Sequence, residues 1–308
     1  MPEYLQVELA KPSVRGACRW LAPVLLITAL LGVGLWLRSV PPLRGASGVA
    51  KGWPWTMRSA VTLYFSDGGF LFPVSRRIPI QDDKPRAVLQ ALLAGPSATS
   101  GLTSALPRGL TVRSLQLAGG VAQIDLTAVG AAEQGLTREG QAAIVETMTA
   151  LPGVNSVALS LEGMPLDLAK RTPLLYFASG DGLAAVPVAV GTPRAAIEAY
   201  LAGPPDPRLT GLPRDVQLRK FDYIASAQLV SLHFSYTPSL RALALEHPER
   251  VRFVLLGLVA SLTEFAEVRT VQLDFDGRTR LGLGQCSDLL DAPQQRPELL
   301  NDERLLGR

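Results

Sequence analysis

The chain has few of the side chains that most enzymes use for chemistry. Its 308 residues include only two histidines, His233 and His247, and two cysteines, Cys18 and Cys286. No cluster of further metal ligands surrounds either histidine, so the sequence predicts no metal site. The cysteines lie at opposite ends of the chain, which predicts no disulfide. Their number neither requires nor excludes an oxidising compartment.

Catalytic motifs are missing as well. The sequence has no G-x-x-x-x-G-K-[ST] or G-x-G-x-x-G loop before a helix, and no G-x-S-x-G or H-E-x-x-H. The turns "SDGGF" and "SGDGL" therefore predict hairpins and not phosphate-binding loops. A catalytic pair for peptidoglycan hydrolysis could be drawn from four carboxylates, Asp67, Asp125, Glu133 and Asp181. Carboxylates on turns and strand exteriors are usually only solvated surface groups. We predict no catalytic residue, no cofactor and no enzymatic activity.

Both histidines have simpler interpretations. His233 alternates with Leu232 and Phe234, which predicts that it points to solvent from a strand. It stands where the first half of the chain has Asp125, so the two halves share no titrating group there. His247 directly precedes Pro248 and is predicted to cap the start of a helix.

The basic excess is confined to the beginning of the chain. Residues 1–60 hold seven Lys or Arg against two Glu, whereas residues 61–308 hold 23 basic and 25 acidic side chains. A nucleic-acid-binding protein is expected to carry its basic face on a folded domain. The sequence therefore predicts no nucleic-acid partner.

One apolar run predicts a membrane anchor. Residues 21–37, "LAPVLLITALLGVGLWL", carry no charge and would span about 26 Å as a helix. Arg19 and Arg38 bracket the run, and Trp20 and Trp36 stand at interfacial positions. We favour a transmembrane anchor over a cleaved signal peptide, because the nearest small-x-small site at residues 48–50 lies far beyond the run. A buried core helix is less favoured still, because no other apolar element follows before residue 61.

The anchor divides the chain into predicted regions. Residues 1–20 are predicted to be a cytoplasmic segment, residues 38–60 a tether rich in Pro, Gly and Ser, and residues 285–308 a polar tail that is helical in parts or frayed. Two domains lie between them, at residues 61–166 and 174–284, joined by the short linker 167–173.

Those two domains are copies of one pattern. "PRAVLQALLAGP" begins at Pro85, and "PRAAIEAYLAGP" begins 108 positions later at Pro193. Each predicts a helix with proline at its first position and Gly-Pro at its end. "LYF" occurs at residues 63–65 and again at 175–177, and "LP" at 106–107 and 212–213. We call the two copies the first and second repeat.

The periodicity of each repeat predicts the order β-β-α-β-β-α-β. Hairpins are indicated by alternating residues around Gly119-Gly120 and by Val230, Leu232 and Phe234. Second helices are indicated by apolar spacings of three and four around Ile144 and from about Pro248. Two helices can cover one face of a small sheet, so we predict an α+β fold with one small α/β sandwich per repeat.

The residues "VTLYF", "LLAGP", "GGVAQIDLT" and "TMTALPGVNSVALSLEG" closely resemble the GerM domain of bacterial sporulation and germination proteins. The resemblance covers residues 61–166, with a more divergent copy at 174–283. It implies that the sandwiches are similar to ring-building modules. The motif positions it marks are structural and carry no reactive group: Tyr64, Gly95, Pro96, Pro107, Gly120, Gly153, Gly163, Tyr176, Gly203, Pro204, Pro213 and Gly277.

The resemblance also implies a function. It suggests a single-pass protein of the cell membrane with its C-terminal domains extracytoplasmic, in the intermembrane space of a sporulating cell. Its expected partners are envelope proteins of the complex that joins mother cell and forespore, with peptidoglycan as a further candidate partner. The family's founding member is lipid-anchored, whereas Cys18 precedes the apolar run here and forms no lipobox. The alternative functions are a ligand-sensing module of an envelope signalling system and, less favoured, a peptidoglycan-modifying protein.

Overall fold

The computed structural model describes residues 58–130, 135–276, 283 and 286–306. The first repeat contains β1 (Arg58–Asp67), β2 (Phe70–Pro79), α1 (Lys84–Leu93), β3 (Leu110–Ala118), β4 (Val121–Ala128), α2 (Arg138–Thr149), β5 (Ser156–Leu161) and β6 (Met164–Pro165). The second repeat contains β7 (Leu174–Ser179), β8 (Gly182–Pro187), α3 (Pro193–Leu201), β9 (Leu218–Ile224), β10 (Leu229–Phe234), α4 (Pro238–Glu246), α5 (Pro248–Leu262) and β11 (Thr270–Phe275). The C-terminal segment adds α6 (Ser287–Leu290) and β12 (Gln294–Gln295). The predicted α+β class is present, and the seven predicted elements occur in the predicted order in both repeats, with β6 added in the first repeat and a further helix in the second.

The repeated helices α1 and α3 form for the reasons that the sequence suggests. Asp83 and Thr192 are the N-caps, each accepting a hydrogen bond from a first-turn backbone N–H. Pro193 is the first residue of α3, as predicted, whereas Pro85 is the second residue of α1. Gly95 and Gly203 have φ values of 84° and 95°, a left-handed conformation that glycine adopts without a side-chain clash. The apolar side of each helix is buried, with Leu89 and Ile197 fully inaccessible.

Each repeat has an outer sheet of its own. In the first repeat its order is β3-β4-β5-β6, and in the second it is β9-β10-β11-β12. The pairs β4–β5 and β10–β11 are parallel, and helices make the crossovers between them, as parallel neighbours require. One side of each sheet carries the buried apolar residues, among them Ile124 and Leu159 in the first repeat and Leu232 and Leu273 in the second.

The expectation of one sandwich with a single sheet per repeat is wrong. The hairpins β1–β2 and β7–β8 leave the outer sheets and join each other in a central sheet of order β1-β2-β8-β7. These strands are apolar on both faces: Leu63 and Phe65 pack into one core cluster, whereas Tyr64 packs into another with Tyr176. Strands that are buried on both faces must be covered on both sides. Pairing the two hairpins places them in the middle of the folded domains, where both faces of their strands can be covered.

The second repeat has one helix more than predicted. α4 begins after Thr237, whose side chain accepts a hydrogen bond from Leu240 N, and has Pro238 in its first turn. α5 begins at Pro248 as predicted. His247 lies between the two helices and is the N-cap residue of α5, as predicted, although its side chain makes no capping hydrogen bond.

The C-terminal segment is partly helical, as predicted, but from Leu300 to Leu306 it is packed and not frayed. Asn301 is 4% exposed, and its side chain donates to Pro73 O and Leu183 O and accepts from Leu183 N. It thereby bridges β2 of the first repeat and β8 of the second, which pair with each other at Leu71 and Ala185. Pro73 has no N–H with which to continue that ladder. We call residues 300–306 the clasp.

The predicted membrane anchor at residues 21–37, the segment before it and the tether up to residue 57 lie outside the described residues. Within the residues described, no helix combines the length and hydropathy needed to cross a membrane.

Candidate functional site between the two repeats

Equivalent tyrosines of the two repeats meet over one face of the central sheet. Tyr64 on β1 and Tyr176 on β7 are both buried, and their hydroxyl oxygens are 3.0 Å apart. Each backbone N–H donates to a helix hydroxyl, Tyr64 to Thr147 Oγ1 at 3.0 Å and Tyr176 to Ser261 Oγ at 2.8 Å. The hydroxyls replace the strand partner that an edge strand lacks. The same residues of each repeat thus form a near-symmetric junction.

Four charged side chains surround the tyrosine pair. Arg171 Nε donates to Glu146 Oε2 at 2.9 Å, and its Nη2 donates to Glu264 Oε2 at 2.8 Å. Arg296 Nη2 lies 2.8 Å from Glu264 Oε1 and donates to the Tyr176 hydroxyl at 2.9 Å. We call these residues the inter-repeat cluster, with the members Tyr64, Glu146, Arg171, Tyr176, Glu264 and Arg296.

The hydrogen bonds of the cluster have one consistent direction. The Tyr176 hydroxyl donates to Glu264 Oε1 at 2.8 Å, so the Tyr64 hydroxyl must donate to Tyr176. The Tyr176 oxygen therefore uses both lone pairs, one for Tyr64 and one for Arg296. Every member has at least one partner within the cluster, so a side-chain network joins the first repeat, the linker, the second repeat and the C-terminal segment.

Burial changes the ionisation of this cluster. Burial raises the pKa of Glu146 from its ordinary 4.5 to about 7; Arg171 opposes the shift, and the nearby Glu264 adds to it. Burial also raises the pKa of Tyr64 and of Tyr176, which keeps both phenols protonated. Glu146 is thus a carboxyl of the inter-repeat junction that titrates near neutral pH.

A cavity of about 510 Å³ opens beside the cluster. Its wall is formed by the edge of β1, the C-terminal end of α2, the end of α5 and the segment that leads to the clasp. The lining residues are largely polar, and we call this cavity the β1 groove: Ala60, Val61, Thr62, Tyr64, Lys84, Glu146, Thr147, Thr149, Ala150, Leu151, Pro152, Arg171, Thr263, Glu264, Arg296, Pro297 and Glu298.

The outer sheet of the first repeat has a face that its helices leave open. Ser114, Gln123 and Asp125 line a shallow depression there of about 330 Å³. The Gly163 N–H lowers the pKa of Asp125, burial opposes this shift, and Ser160 and Arg113 lower the pKa further. Asp125 is thus a carboxylate with a structural hydrogen bond to the turn after β5.

The corresponding face of the second repeat carries His233. Its side chain is predicted to point into solvent, but it is half-buried and contacts neighbouring side chains. Its Nδ1 lies 3.0 Å from Asp274 Oδ2, and its Nε2 lies 3.3 Å from Ser231 Oγ and 3.9 Å from Asp222 Oδ2. These groups follow the pleat of three neighbouring strands on the face away from the core. The ring satisfies one oxygen of the buried Asp274 carboxylate, which is a structural role.

The other imagined hydrolase residues do not join this face. Asp67 ends β1, where Ser179 Oγ lies 3.5 Å from it, and Asp181 lies in the turn between β7 and β8. Glu133 lies outside the described residues. Among the residues that the structure describes, no group of three His, Cys, Asp or Glu could hold a metal ion.

The predicted motif positions are spread over the fold. Of the motif positions that the structure describes, Tyr64 and Tyr176 are the two that meet in the inter-repeat cluster. Gly95, Pro96, Gly203 and Pro204 end α1 and α3, and Pro107 and Pro213 lie in the loops before β3 and β9. Gly120 lies in the β3–β4 turn, Gly153 in the α2–β5 connection and Gly163 in the turn after β5, while Gly277 lies outside the described residues.

Sequence reasoning missed the charged members of the cluster. Glu146 falls inside the apolar run "AAIVETMTAL", and a carboxylate among core residues is the one signal that could have indicated it. Arg171 stands in what appears in the sequence as a plain linker, and Arg296 in a polar tail. Their partners are 25 to 120 positions away in sequence, so no local pattern reveals them.

Comparisons with known proteins agree with this architecture. The chain matches the tandem GerMN domains of the sporulation protein GerM from Bacillus subtilis with a TM-score of 0.57 and 18% identity, over 80% of this chain and 99% of that one. The first GerMN domain of the same protein matches with a TM-score of 0.26 and 20% identity, over 35% of this chain and 86% of that one. No curated protein matches the chain. The family described as "Germane: Sporulation and spore germination" matches residues 62–167 and 174–281, more than half of the sequence, and the chain therefore belongs to the Germane family.

Proposed function

We propose that this chain is a membrane-anchored, extracytoplasmic scaffold without enzymatic activity that acts in spore formation or germination. The family's description supports the biological setting. The apolar run at residues 21–37 supports the anchor. In this proposal the chain docks to other proteins of the envelope through sheet faces and edges.

The observation that carries the scaffold is the shared central sheet. β2 and β8 join the two repeats, and the inter-repeat cluster and the clasp connect them again through Arg171 and Asn301. The two outer sheets are thereby held in a fixed relation, each with an uncovered face. Such an arrangement suits repeated contacts with partner proteins, because two linked surfaces raise the effective concentration for the second contact.

A substitution on an open face tests the docking role. Gln123 on β4 is exposed on the open face of the first outer sheet, whereas Gln90 is exposed on α1. We expect Gln123→Arg to reduce chemical cross-linking of the full chain to its envelope partners in cells that form spores. Gln90→Arg is the matched control and should leave the cross-links unchanged. Equal cross-linking by both variants would argue against docking through this face.

The biological setting is tested separately. Deletion of the gene in the source bacterium should lower the yield of heat-resistant spores or delay their germination, and the full-length chain should restore the phenotype. A version lacking residues 21–37 should fail to restore it, because the domains would no longer be held at the membrane. Normal spore yield and germination after deletion would contradict the assignment to this process.

A ligand-sensing module is the second candidate, and the β1 groove is the observation that favours it. Its volume is in the range of small-molecule sites, but such sites are mostly apolar with a few polar groups. Here the central charged side chains are already paired with each other, which favours the scaffold. A peptidoglycan-modifying role is tested by incubating the full chain with purified peptidoglycan, from which we expect no release of soluble fragments.

A further inference from the structure

The outer edge of β1 is occupied at one end and open at the other. Ser66 exchanges two backbone hydrogen bonds with Thr103, at 2.9 and 3.0 Å, and the Tyr64 N–H is taken by Thr147. These groups point away from β2. Because backbone direction alternates along an antiparallel strand, Thr62 and Ala60 present their N–H and C=O groups to the same side.

Within the described part of the chain, Ala60 and Thr62 have no such partner. Of the described residues, only the neighbouring Ser59 reaches either backbone on this side, through a 3.4 Å contact from its hydroxyl to Ala60 O. Val61, which has the opposite phase, pairs with Arg76 of β2. The first five residues of β1 thus offer an unpaired edge of about 17 Å, at 3.4 Å per residue.

The β1 groove runs along this open edge. Ala60, Val61 and Thr62 form part of its wall. Thr149 and Thr263 also line it, and because their hydroxyls donate to carbonyls of their own helices, these hydroxyls can act towards a ligand only as acceptors. The second repeat has no equivalent edge: matching Tyr176 to Tyr64 places Leu174 at the position of Thr62, and β7 begins there. Among the residues that the structure describes, this open edge is a feature of the first repeat.

The charges of the groove indicate what it can accept. Three cations and three carboxylates line it: Lys84, Arg171, Arg296, Glu146, Glu264 and Glu298. Arg171 and Arg296 are paired with the glutamates at the back of the groove. A polyanion or a strongly basic segment would meet like charges, whereas a peptide with little net charge would not. The recognition elements left to it are main-chain groups and threonine hydroxyls.

We propose that the β1 groove binds an extended segment of a partner protein, with little net charge, which adds to the central sheet as a further strand. The segment exchanges main-chain hydrogen bonds with Ala60 and Thr62, as in other cases of strand addition to a sheet edge. This proposal specifies a docking site of the proposed scaffold and rests on that function. It predicts affinity from the peptide backbone, with side chains contributing selectivity at alternate positions.

The test uses a displayed library of eight-residue peptides of zero net charge, selected on the full chain in mild detergent. We expect an enriched peptide whose binding protects the Ala60 and Thr62 amides from hydrogen exchange. N-methylation along that peptide should abolish binding at every second position. Thr62→Pro removes the outward N–H, which an edge strand tolerates, and should weaken binding at least tenfold. Thr62→Val keeps the N–H and is the matched control.

Three results obtained in vitro would overturn the proposal. The first is a library that yields no peptide dependent on the Thr62 N–H. The second is N-methylation that weakens binding at all positions alike. The third is a full chain whose sedimentation shows a dimer that Thr62→Pro dissociates, because the edge would then be covered by a second copy. If envelope cross-links persist in Thr62→Pro but are lost in Gln123→Arg, the proposed scaffold function would stand, and the β1 groove would be excluded as its docking site.

Discussion

Replacing Glu146 by glutamine should change how the stability of the protein depends on pH. Its side chain is 7% exposed and lies 2.9 Å from Arg171, and its pKa is raised from 4.5 to about 7. Between these values the folded state holds a proton that the unfolded state has released. The free energy of unfolding therefore falls as pH rises through this window, and the loss is complete above pH 7.

The magnitude follows from the shift. One pKa unit is worth about 1.4 kcal/mol, so ionisation of Glu146 costs the folded state about 3 kcal/mol by pH 8. Glutamine has the shape of the protonated side chain and never ionises. We expect Glu146→Gln to be as stable as the natural protein near pH 4.5 and about 3 kcal/mol more stable at pH 8.

Urea denaturation of the full chain in detergent, measured from pH 4.5 to 8.5, provides the assay. Groups common to both proteins cancel in the difference. Glu198→Gln is the matched control, because its side chain is 61% exposed, and it should show no such pH-dependent gain. A Glu146→Gln variant that is less stable at pH 8, or whose difference from the natural protein is constant with pH, would refute the reasoning.

Three further substitutions test the junction by urea denaturation. Asn301→Ala leaves three buried backbone groups unsatisfied and should cost about 3 kcal/mol, whereas Asn155→Ala at an exposed position should cost less than about 1 kcal/mol; equal costs would contradict the role of the clasp. Tyr176→Phe removes a hydroxyl that has three hydrogen-bond partners, whereas Tyr64→Phe removes a hydroxyl that has one. We expect Tyr64→Phe to lower the free energy of unfolding by about 1 kcal/mol and Tyr176→Phe to lower it by more, and the reverse order would contradict the hydrogen-bond directions. Gly257→Ala would place a Cβ 2.2 Å from the Tyr176 carbonyl oxygen and should cost more than about 2 kcal/mol, and a neutral effect would mean that α5 can move away from β7.

Much of the local structure could be predicted from the sequence. Caps, first-turn prolines and terminal glycines act over a few residues, so the bounds of α1 and α3 follow from "DKPRAVLQALLAG" and "TPRAAIEAYLAG". The extra helix α4 carries the same signals, a Thr-Pro start and an apolar spacing, although the element order inferred from the two repeats does not include it.

The partners of the hairpins could not be predicted. The strands "VTLYF" and "LLYFAS" are apolar at successive positions, a pattern that indicates burial on both faces but does not say which strand lies alongside. Placing them in separate sandwiches and placing them in one shared sheet satisfy the local pattern equally. The choice depends on non-local contacts such as that between Leu71 and Ala185, which are 114 positions apart.

The sequence by itself determined the duplication, the element order of each repeat and the family, because these depend on periodicity and on turn chemistry within short windows. Only the tertiary structure decided that the repeats share a central sheet, that Glu146, Arg171, Glu264 and Arg296 form one network and that the tail is a clasp. The physical reason is that burial, ion pairing and hydrogen-bond satisfaction depend on which distant residues come together. No residue's own neighbours in the chain specify that.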